Sequence, residues 1–342
     1  MKRLKWVDKI LFFINSVAAT MLLLSYILPY LPPEKFAFLS VLSLAVPILI
    51  LINILFALYW LLKVKRQLLL SLIVLVLGYN YVASLYKFSG SKHMESDSDI
   101  SVMSYNVRLF NLFNWIEDKN VVSDFNALIA KEQPDVISLQ EYHANEGLEL
   151  DNYYKYEDLS GKKVKSGQAI FSKYPIINSG AIEFPKTANN AIFIDVVRQS
   201  DTIRIYNLHL QSSGINTKVE ELKKESSQNL FKRVGSTFKA QQRQTELFLN
   251  HKNQSPYNTI VCGDFNNTAY SYVYKKIIGE DIDAFEAAGN GFGRTFDFKL
   301  FPVRIDFILV DNTLQVNGFK NFDLKLSDHF PIISHIDLVK QN

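Results

Sequence analysis

Hydrophobic positions follow two regimes along this chain. Up to Tyr86 they form long unbroken runs, and residues 10–28, 36–62 and 68–86 contain no charged side chain. A helix rises about 1.5 Å per residue and needs about 20 residues to cross a hydrocarbon core of about 30 Å. The three runs therefore predict three transmembrane helices within an anchor covering residues 1–88. Pro47 is compatible with such a helix when neighbours satisfy the freed carbonyl. Asn15, Asn53 and Asn80 are expected to donate hydrogen bonds between helices, and no ionisable residue falls mid-span. The sequence Pro29-Tyr30-Leu31-Pro32-Pro33 lacks the small residues of a leader cleavage site, so the first run is read as an anchor helix.

Beyond a polar stretch at residues 89–98 (within it SGSKHMESDS, read as a linker), the hydrophobic runs become short. Residues 99–342 form the second region. β-rich runs bounded by turn residues fall at Ile100–Asn106, Asp135–Glu141, Gly167–Ser172, Ala191–Val197, Thr202–Leu210, Thr259–Asp264, Arg304–Val310 and Ile332–Val339. Helical spacing is found over Asp118–Lys131, Lys218–His251 and Tyr270–Ile278. Strands interrupted by a few helices predict an α/β domain with packed sheets.

Charge separates the same two regions. Of 37 Lys/Arg and 34 Asp/Glu, ten and three lie in residues 1–95, a net of +7; the remaining 27 and 31 give residues 96–342 a net of −4. Lys2, Arg3, Lys5, Lys9, Lys63, Lys65 and Arg66 flank one side of the expected spans, against Lys35, Lys87 and Lys92 on the other. That asymmetry predicts a cytoplasmic N-terminus and an extracytoplasmic second region, on the periplasmic face of a bacterial inner membrane. A single cysteine, Cys262, excludes an intramolecular disulfide framework and any zinc site built from cysteines.

Polar residues cluster where strands should end. Asn106 closes ISVMSYN, Gln140-Glu141 closes VISLQE, His209 ends IRIYNLHL, and Asp264 and Asn266 follow TIVC. Asp328-His329 precede the last strand. Asp306 sits among Ile305, Phe307 and Ile308, where a carboxylate is costly unless paired. Oxygen ligands and two imidazoles converging at strand ends suit a hard divalent cation and phosphate chemistry. Gly289, Gly291 and Gly293 lack the context of a phosphate loop. Lys162, Lys163 and Lys165 read as a solvated hairpin tip.

The ordered set SYNVR, QE, NLHL, GDFN, RIDFIL and SDHFP resembles the endonuclease/exonuclease/phosphatase superfamily over about Ile100 to Leu338. The resemblance implies a four-layer α/β/β/α sandwich of the deoxyribonuclease I-like type, behind the three-helix anchor. It implies a Mg2+-dependent phosphoric ester hydrolase, with Mn2+ able to replace Mg2+. By the same resemblance Glu141 is the principal metal ligand, with Asn106 and Asp328 beside it. Asp264 positions or deprotonates the attacking water, and Asn266 and His209 contact the phosphate. His329 stabilises the developing charge and Asp306 orients it. An additional phosphate-reaching Tyr or Arg, expected between Glu141 and His209, has no match here; Asn189 and Asn190 are the nearest substitutes.

Substrate class stays open at the level of sequence: a phosphodiester or a phosphomonoester, in nucleic acid, a phospholipid headgroup or another small phosphoester. A dedicated DNA or RNA endonuclease and a headgroup phosphodiesterase are the two enzymatic alternatives, and a non-catalytic membrane-attached binding domain is the third. The net negative charge of residues 96–342 disfavours tight duplex binding, although Lys223, Lys224, Lys232 and Arg233 could form a local patch. Nothing in the sequence calls for an obligate protein partner.

Overall fold

The structure is a computed structural model, and it describes residues 5–88, 90, 99–117, 119–199, 201–214, 226–299 and 301–338. The linker, apart from Gly90, lies outside the described residues, as do Asp118, Lys218, Lys223, Lys224 and Val339.

The N-terminal helices are α1 (Trp6–Ser25), α2 (Pro33–Val41), α3 (Val46–Leu62), α4 (Leu68–Leu77) and α5 (Tyr79–Leu85). Two continuous stretches, Trp6–Tyr30 and Pro33–Leu62, are long and apolar enough to cross a membrane. The third run departs from the single helix expected over 68–86, because α4 and α5 meet at 81° around Gly78. The Tyr26 ring lies against the Gly78 backbone, in the space a Cβ would occupy. Asn15 and Asn53 join the helices: Asn15 donates to Ser71 Oγ at 2.7 Å and accepts from Trp60 Nε1 at 2.8 Å, while Asn53 donates to the Ala18 carbonyl at 3.3 Å. Asn80, expected to do the same, is exposed on α5.

The remainder is two six-stranded sheets. One runs β11-β12-β1-β2-β4-β3 and the other β5-β6-β7-β8-β10-β9. The first holds β1 (Asp99–Asn106), β2 (Val136–Tyr142), β3 (Tyr154–Ser160), β4 (Ser166–Ser172), β11 (Gln315–Asn321) and β12 (Ile332–Asp337). The second holds β5 (Ile176–Glu183), β6 (Asn190–Arg198), β7 (Asp201–His209), β8 (Asn258–Asp264), β9 (Ile282–Asp283) and β10 (Asp306–Val310). Among the described residues, the helices of this part are α6 (Val121–Glu132), α7 (Ser227–Lys252), α8 (Tyr272–Ile278) and α9 (Ala284–Ala288).

Alternation along the strands divides the core into three layers. Ile100, Val102, Ile203, Ile205, Ile260 and Ile308 pack between the sheets. Met103, Tyr105, Ile137 and Leu139 face outward against Phe125, Leu128 and Ile129 of α6. Tyr206, Leu208, Val261 and Phe307 face outward on the other side, against Phe248 of α7 and Val273 and Ile277 of α8. The expected α/β/β/α sandwich is present.

The helical region does not stand apart from the sandwich. Phe38 of α2 stacks on Phe231 of α7 at 5.4 Å, and Glu34 pairs with Arg243 at 2.6 Å. Tyr270 donates to the Tyr81 carbonyl at 3.1 Å, Ser84 bonds Glu286, and Lys87 pairs backbone to backbone with Gly291. These contacts cluster at one end of the helices. The opposite end is closed by Asp8, which accepts from Tyr59 at 2.8 Å and pairs with Lys63.

Candidate active site

The inter-sheet face of each central strand turns polar toward one end. On β1 the sequence Ile100, Val102 gives way to Ser104, Asn106 at the same period of two. On β7, Ile203 and Ile205 give way to Asn207 and His209. β8 places Ile260, Cys262 and Asp264 on that face, and β10 opens with Asp306 before Ile308 and Val310. Register brings the ends together, with His209 beside Asp264 and Asp264 opposite Asp306. Gly263 permits this approach: its φ is +142°, and a Cβ there would collide with the Leu208 backbone.

Glu141 arrives differently. Strict alternation would send it to the outer face with Ile137 and Leu139. Instead the β2–β4 pairing is irregular between Leu139 and Tyr142, and Glu141 has φ +48°. A bulge of this kind re-aims a side chain; here it turns Glu141 into the cleft, where its side chain is 38% exposed.

Asp264 is the hub. It is buried, and accepts from the Asn266 backbone N–H at 2.7 Å, Asn266 Nδ2 at 3.0 Å and Asn106 Nδ2 at 3.0 Å. Burial raises its carboxyl pKa against the opposing pull of His329. His329 Nδ1 donates to Asp306, at 3.1 and 3.0 Å from its two oxygens, leaving Nε2 3.7 Å from Asp264 Oδ2. Burial alone would lower the His329 pKa, but the carboxylates of Asp306 and Asp264 raise it, so the imidazolium is favoured. Ser327 fixes this turn by accepting from the His329 N–H and donating to the Asn106 carbonyl, each at 2.8 Å. Thr295 Oγ1 accepts from the Asp306 N–H at 3.1 Å.

His209 Nε2 is buried and has no hydrogen-bond partner. It lies 3.9 Å from Glu141 Oε1 and 3.7 Å from Asp264 Oδ2, too far for direct bonds. Burial lowers its pKa, favouring the neutral ring. An unsatisfied nitrogen facing two carboxylates is a place for a further group to enter.

All eight residues singled out in the sequence therefore gather at one end of the inter-sheet layer. Their partners add detail. Asn106 donates to Glu141 at 3.3 Å, while its Oδ1 accepts from the Arg108 N–H at 3.1 Å. Asp328 forms an ion pair with Arg108 at 2.6 Å. Among the described residues, Asp264, Asp306 and His329 offer ligand atoms within 4.8 Å of one another, enough to hold a metal ion; Glu141 and Asp328 are outside that group. Neither Asn189 nor Asn190 bonds to Glu141, Asp264 or a site histidine, although Asn189 shares the Leu210 carbonyl with Asn266. Asn190 is buried against Gln168 and Asp158, and Asn189 donates to the Leu210 carbonyl at 3.2 Å.

Arg108 is the cation that sequence reasoning left without a role. Residues Arg108 to Asn111 all have positive φ, a left-handed turn that carries the guanidinium over Trp115 at 4.5 Å and onto Asp328. Its signal was its place in SYNVR, two residues after Asn106. Ser327 and Thr295 were likewise unassigned. Arg304, the first residue of RIDFIL, is a structural group: it is buried, pairs with Asp283 at 2.6 Å and packs between Phe285 and Phe307.

Comparison with known proteins agrees with this geometry. The profile of the endonuclease/exonuclease/phosphatase family matches residues 103–329, and that of a domain of unknown function matches residues 8–85. No curated protein matches the chain. Among solved structures, an endonuclease/exonuclease/phosphatase from Bacteroides vulgatus is 19% identical with a TM-score of 0.54, over 71% of this chain and 100% of that one. The human Nocturnin catalytic domain is 17% identical with a TM-score of 0.52, over 74% and 97%. Humanized D. rerio TDP2 is 17% identical with a TM-score of 0.52, over 70% and 99%. At such identities the structural likeness establishes the fold, while the family profile spans most of the sandwich and the motifs at its polar end. The chain belongs to the endonuclease/exonuclease/phosphatase family, whose members are phosphoester hydrolases.

Proposed function

We infer that the chain is a membrane-tethered, divalent-metal-dependent phosphoesterase. Residues 1–88 are its anchor, 89–98 its linker and 99–342 its catalytic domain, held on the extracytoplasmic side. The observation that carries the reading is the convergence of Asp264, His329–Asp306, His209 and Glu141 on one cleft at the end of an otherwise apolar layer.

Asp264 takes the proton of a water that attacks phosphorus in line. Three N–H groups fix its carboxylate, so the base is aimed before substrate arrives. As the new O–P bond forms, the opposite P–O bond breaks and the leaving oxygen takes a proton from solvent at the open mouth. His329, charged and held by Asp306, stabilises the negative charge that builds on the non-bridging oxygens, and His209 donates from the other side. Asn266 holds Asp264 through its backbone N–H and amide, and to donate to the phosphate as well the amide would have to release the Leu210 carbonyl at 3.0 Å.

The donor set fits a hard cation. Glu141, the carboxylate with an open side, would be the principal ligand, and Asn106 and Asp328 would add oxygens beside it. Asn106 would have to turn its amide oxygen away from the Arg108 N–H, and Asp328 would have to share itself with Arg108. When bound, Mg2+ or Mn2+ supplies neutralisation of phosphate charge and a more acidic water.

The full chain in detergent micelles, given bis(p-nitrophenyl) phosphate and Mg2+, should hydrolyse it, and EDTA should abolish the reaction. Hydrolysis that is unaffected by EDTA removes the metal from the account. A cleft that binds phosphoesters but hydrolyses none favours the binding-domain alternative.

A further inference from the structure

The cleft does not end at the polar residues. A cavity of about 670 Å³ runs from Glu141, Asp264, Asp328 and His329 to a wall of Leu44, Pro47 and Ile48, contributed by the N-terminal helices. Facing that wall are Phe298, Phe301 and Val303 of the loop before β10. One end is thus built for an anion and the other for hydrocarbon.

The apolar wall continues outward. Ile48 is 52% exposed, and Leu55 and Leu62, each seven residues further along α3, are exposed on the same side. In a bilayer that stripe faces lipid. An acyl chain lying along it therefore meets the cavity at Ile48 without crossing water. At the opposite rim, Leu112, Phe113 and Trp115 expose a large apolar group each beside Arg108. Aromatic side chains of this kind favour the membrane–water boundary.

The cationic content of the cavity argues in the same direction. Among the described residues, its wall arginines are Arg108 and Arg304, and both are ion-paired, to Asp328 and Asp283. A nucleic-acid backbone calls for several cations free to neutralise successive phosphates. A single phosphoester attached to hydrocarbon needs none beyond those of the reaction centre.

We propose that the substrate is a membrane phospholipid, which enters laterally from the bilayer with its phosphoester at Asp264 and His329 and the start of its acyl chains in the seam between Ile48 and Val303. The cavity volume lies within the roughly 300–1,000 Å³ of small-molecule sites. It admits the headgroup, the glycerol and the first methylenes, and the remainder of each chain stays in the bilayer. This names the substrate class of the phosphoesterase proposed above and rests on that reading. It also assigns a specificity role to Leu44, Ile48, Phe301 and Val303, none of which takes part in the chemistry.

The test uses the full chain in nanodiscs. Phosphatidylglycerol, phosphatidylethanolamine and phosphatidylcholine are each supplied with dioleoyl or dihexanoyl chains, alongside bis(p-nitrophenyl) phosphate and a single-stranded oligonucleotide. For at least one headgroup kcat/KM should be more than tenfold higher with the long chains. Ile48→Trp, or Val303→Trp should the first fold poorly, should erase that preference while leaving hydrolysis of the soluble diester unchanged. Equal rates with short and long chains, a higher rate on the oligonucleotide, or a variant that depresses both substrates equally would each overturn the proposal. Should even the soluble diester resist hydrolysis, the phosphoesterase reading falls, and a second readout decides the seam. A dioleoyl-type phosphatidylglycerol with a diazirine in one chain should then label Phe298, Phe301 or Val303, and Ile48→Trp should abolish the label. Labelling confined to the N-terminal helices would show that no chain enters.

Discussion

Ile100 and Val102 at one end of β1, and Ser104 and Asn106 at the other, point into the same space between the sheets. β7 repeats the contrast with Ile203 and Ile205 against Asn207 and His209, and β10 runs it in reverse from Asp306 to Val310. Backbone, pairing and period are shared; the side chains differ. The apolar end lowers the free energy of the fold by removing hydrocarbon from water. The polar end costs stability, since each carboxylate and amide must be desolvated and re-paired. The site is thus a stretch of core converted to polar residues, held in place by the dry remainder.

If that contrast is correct, substitutions at the two ends should separate activity from stability. The largest effect belongs to Asp264. Asp264→Ala should lower kcat by about 10²–10⁴-fold, the usual contribution of a positioned base, as measured on bis(p-nitrophenyl) phosphate. Glu141→Gln comes next: activity should fall at low Mg2+ and recover in part as the cation is raised, and a wild-type rate at low Mg2+ would exclude Glu141 as the principal ligand. His329 and Asp306 sharpen the comparison through their coupling. Asp306→Ala/His329→Ala should be little slower than His329→Ala, because the aspartate acts through the imidazole that it holds at 3.0 Å. Multiplying losses would give Asp306 an independent role. At the dry end, Ile308→Ala should destabilise by about 2–5 kcal/mol and leave the rate per folded molecule near wild type.

What the sequence made legible follows the same physics. Eight strands were expected, and they correspond to β1, β2, β4, β6, β7, β8, β10 and β12, all of them interior. The four that were missed, β3, β5, β9 and β11, are the four sheet edges. Interior strands are buried on both faces and read as apolar runs. Tyr154–Ser160 and Ile176–Glu183 are largely exposed or half-buried, so their composition resembles that of loops. Among the candidate site residues, Asn106, His209, Asp264 and Asp306 stood out because they interrupt apolar alternation on interior strands. Glu141 was found through its motif; the bulge that turns it inward leaves no clear trace in composition. The break at Gly78 depends on the Tyr26 ring from a distant helix, and no local pattern announces it. The seam between the helical region and the sandwich was hidden for the same reason. Gly235 on α7 faces Ala37 on α2, a contact between small residues about two hundred positions apart.

The most direct test measures the rate and the apparent unfolding midpoint of Asp264→Asn on the same purified full chain. Asparagine keeps the shape and removes a carboxylate whose pKa burial has raised. A carboxyl whose pKa rises on folding favours the folded state while protonated and loses that contribution as pH climbs from the ordinary carboxyl range to its folded value. The new amide NH2 meets the N–H donors of Asn106 or Asn266 at either pH, so the exchange costs hydrogen bonds, and it should cost less near pH 8, where a buried charge is also removed, than near pH 4. The account predicts a rate at least a hundredfold lower, with an unfolding midpoint lowered less at pH 8 than at pH 4. A variant that keeps its rate, or one whose midpoint falls further at pH 8 than at pH 4, would contradict the claim that this end of the core is given over to chemistry.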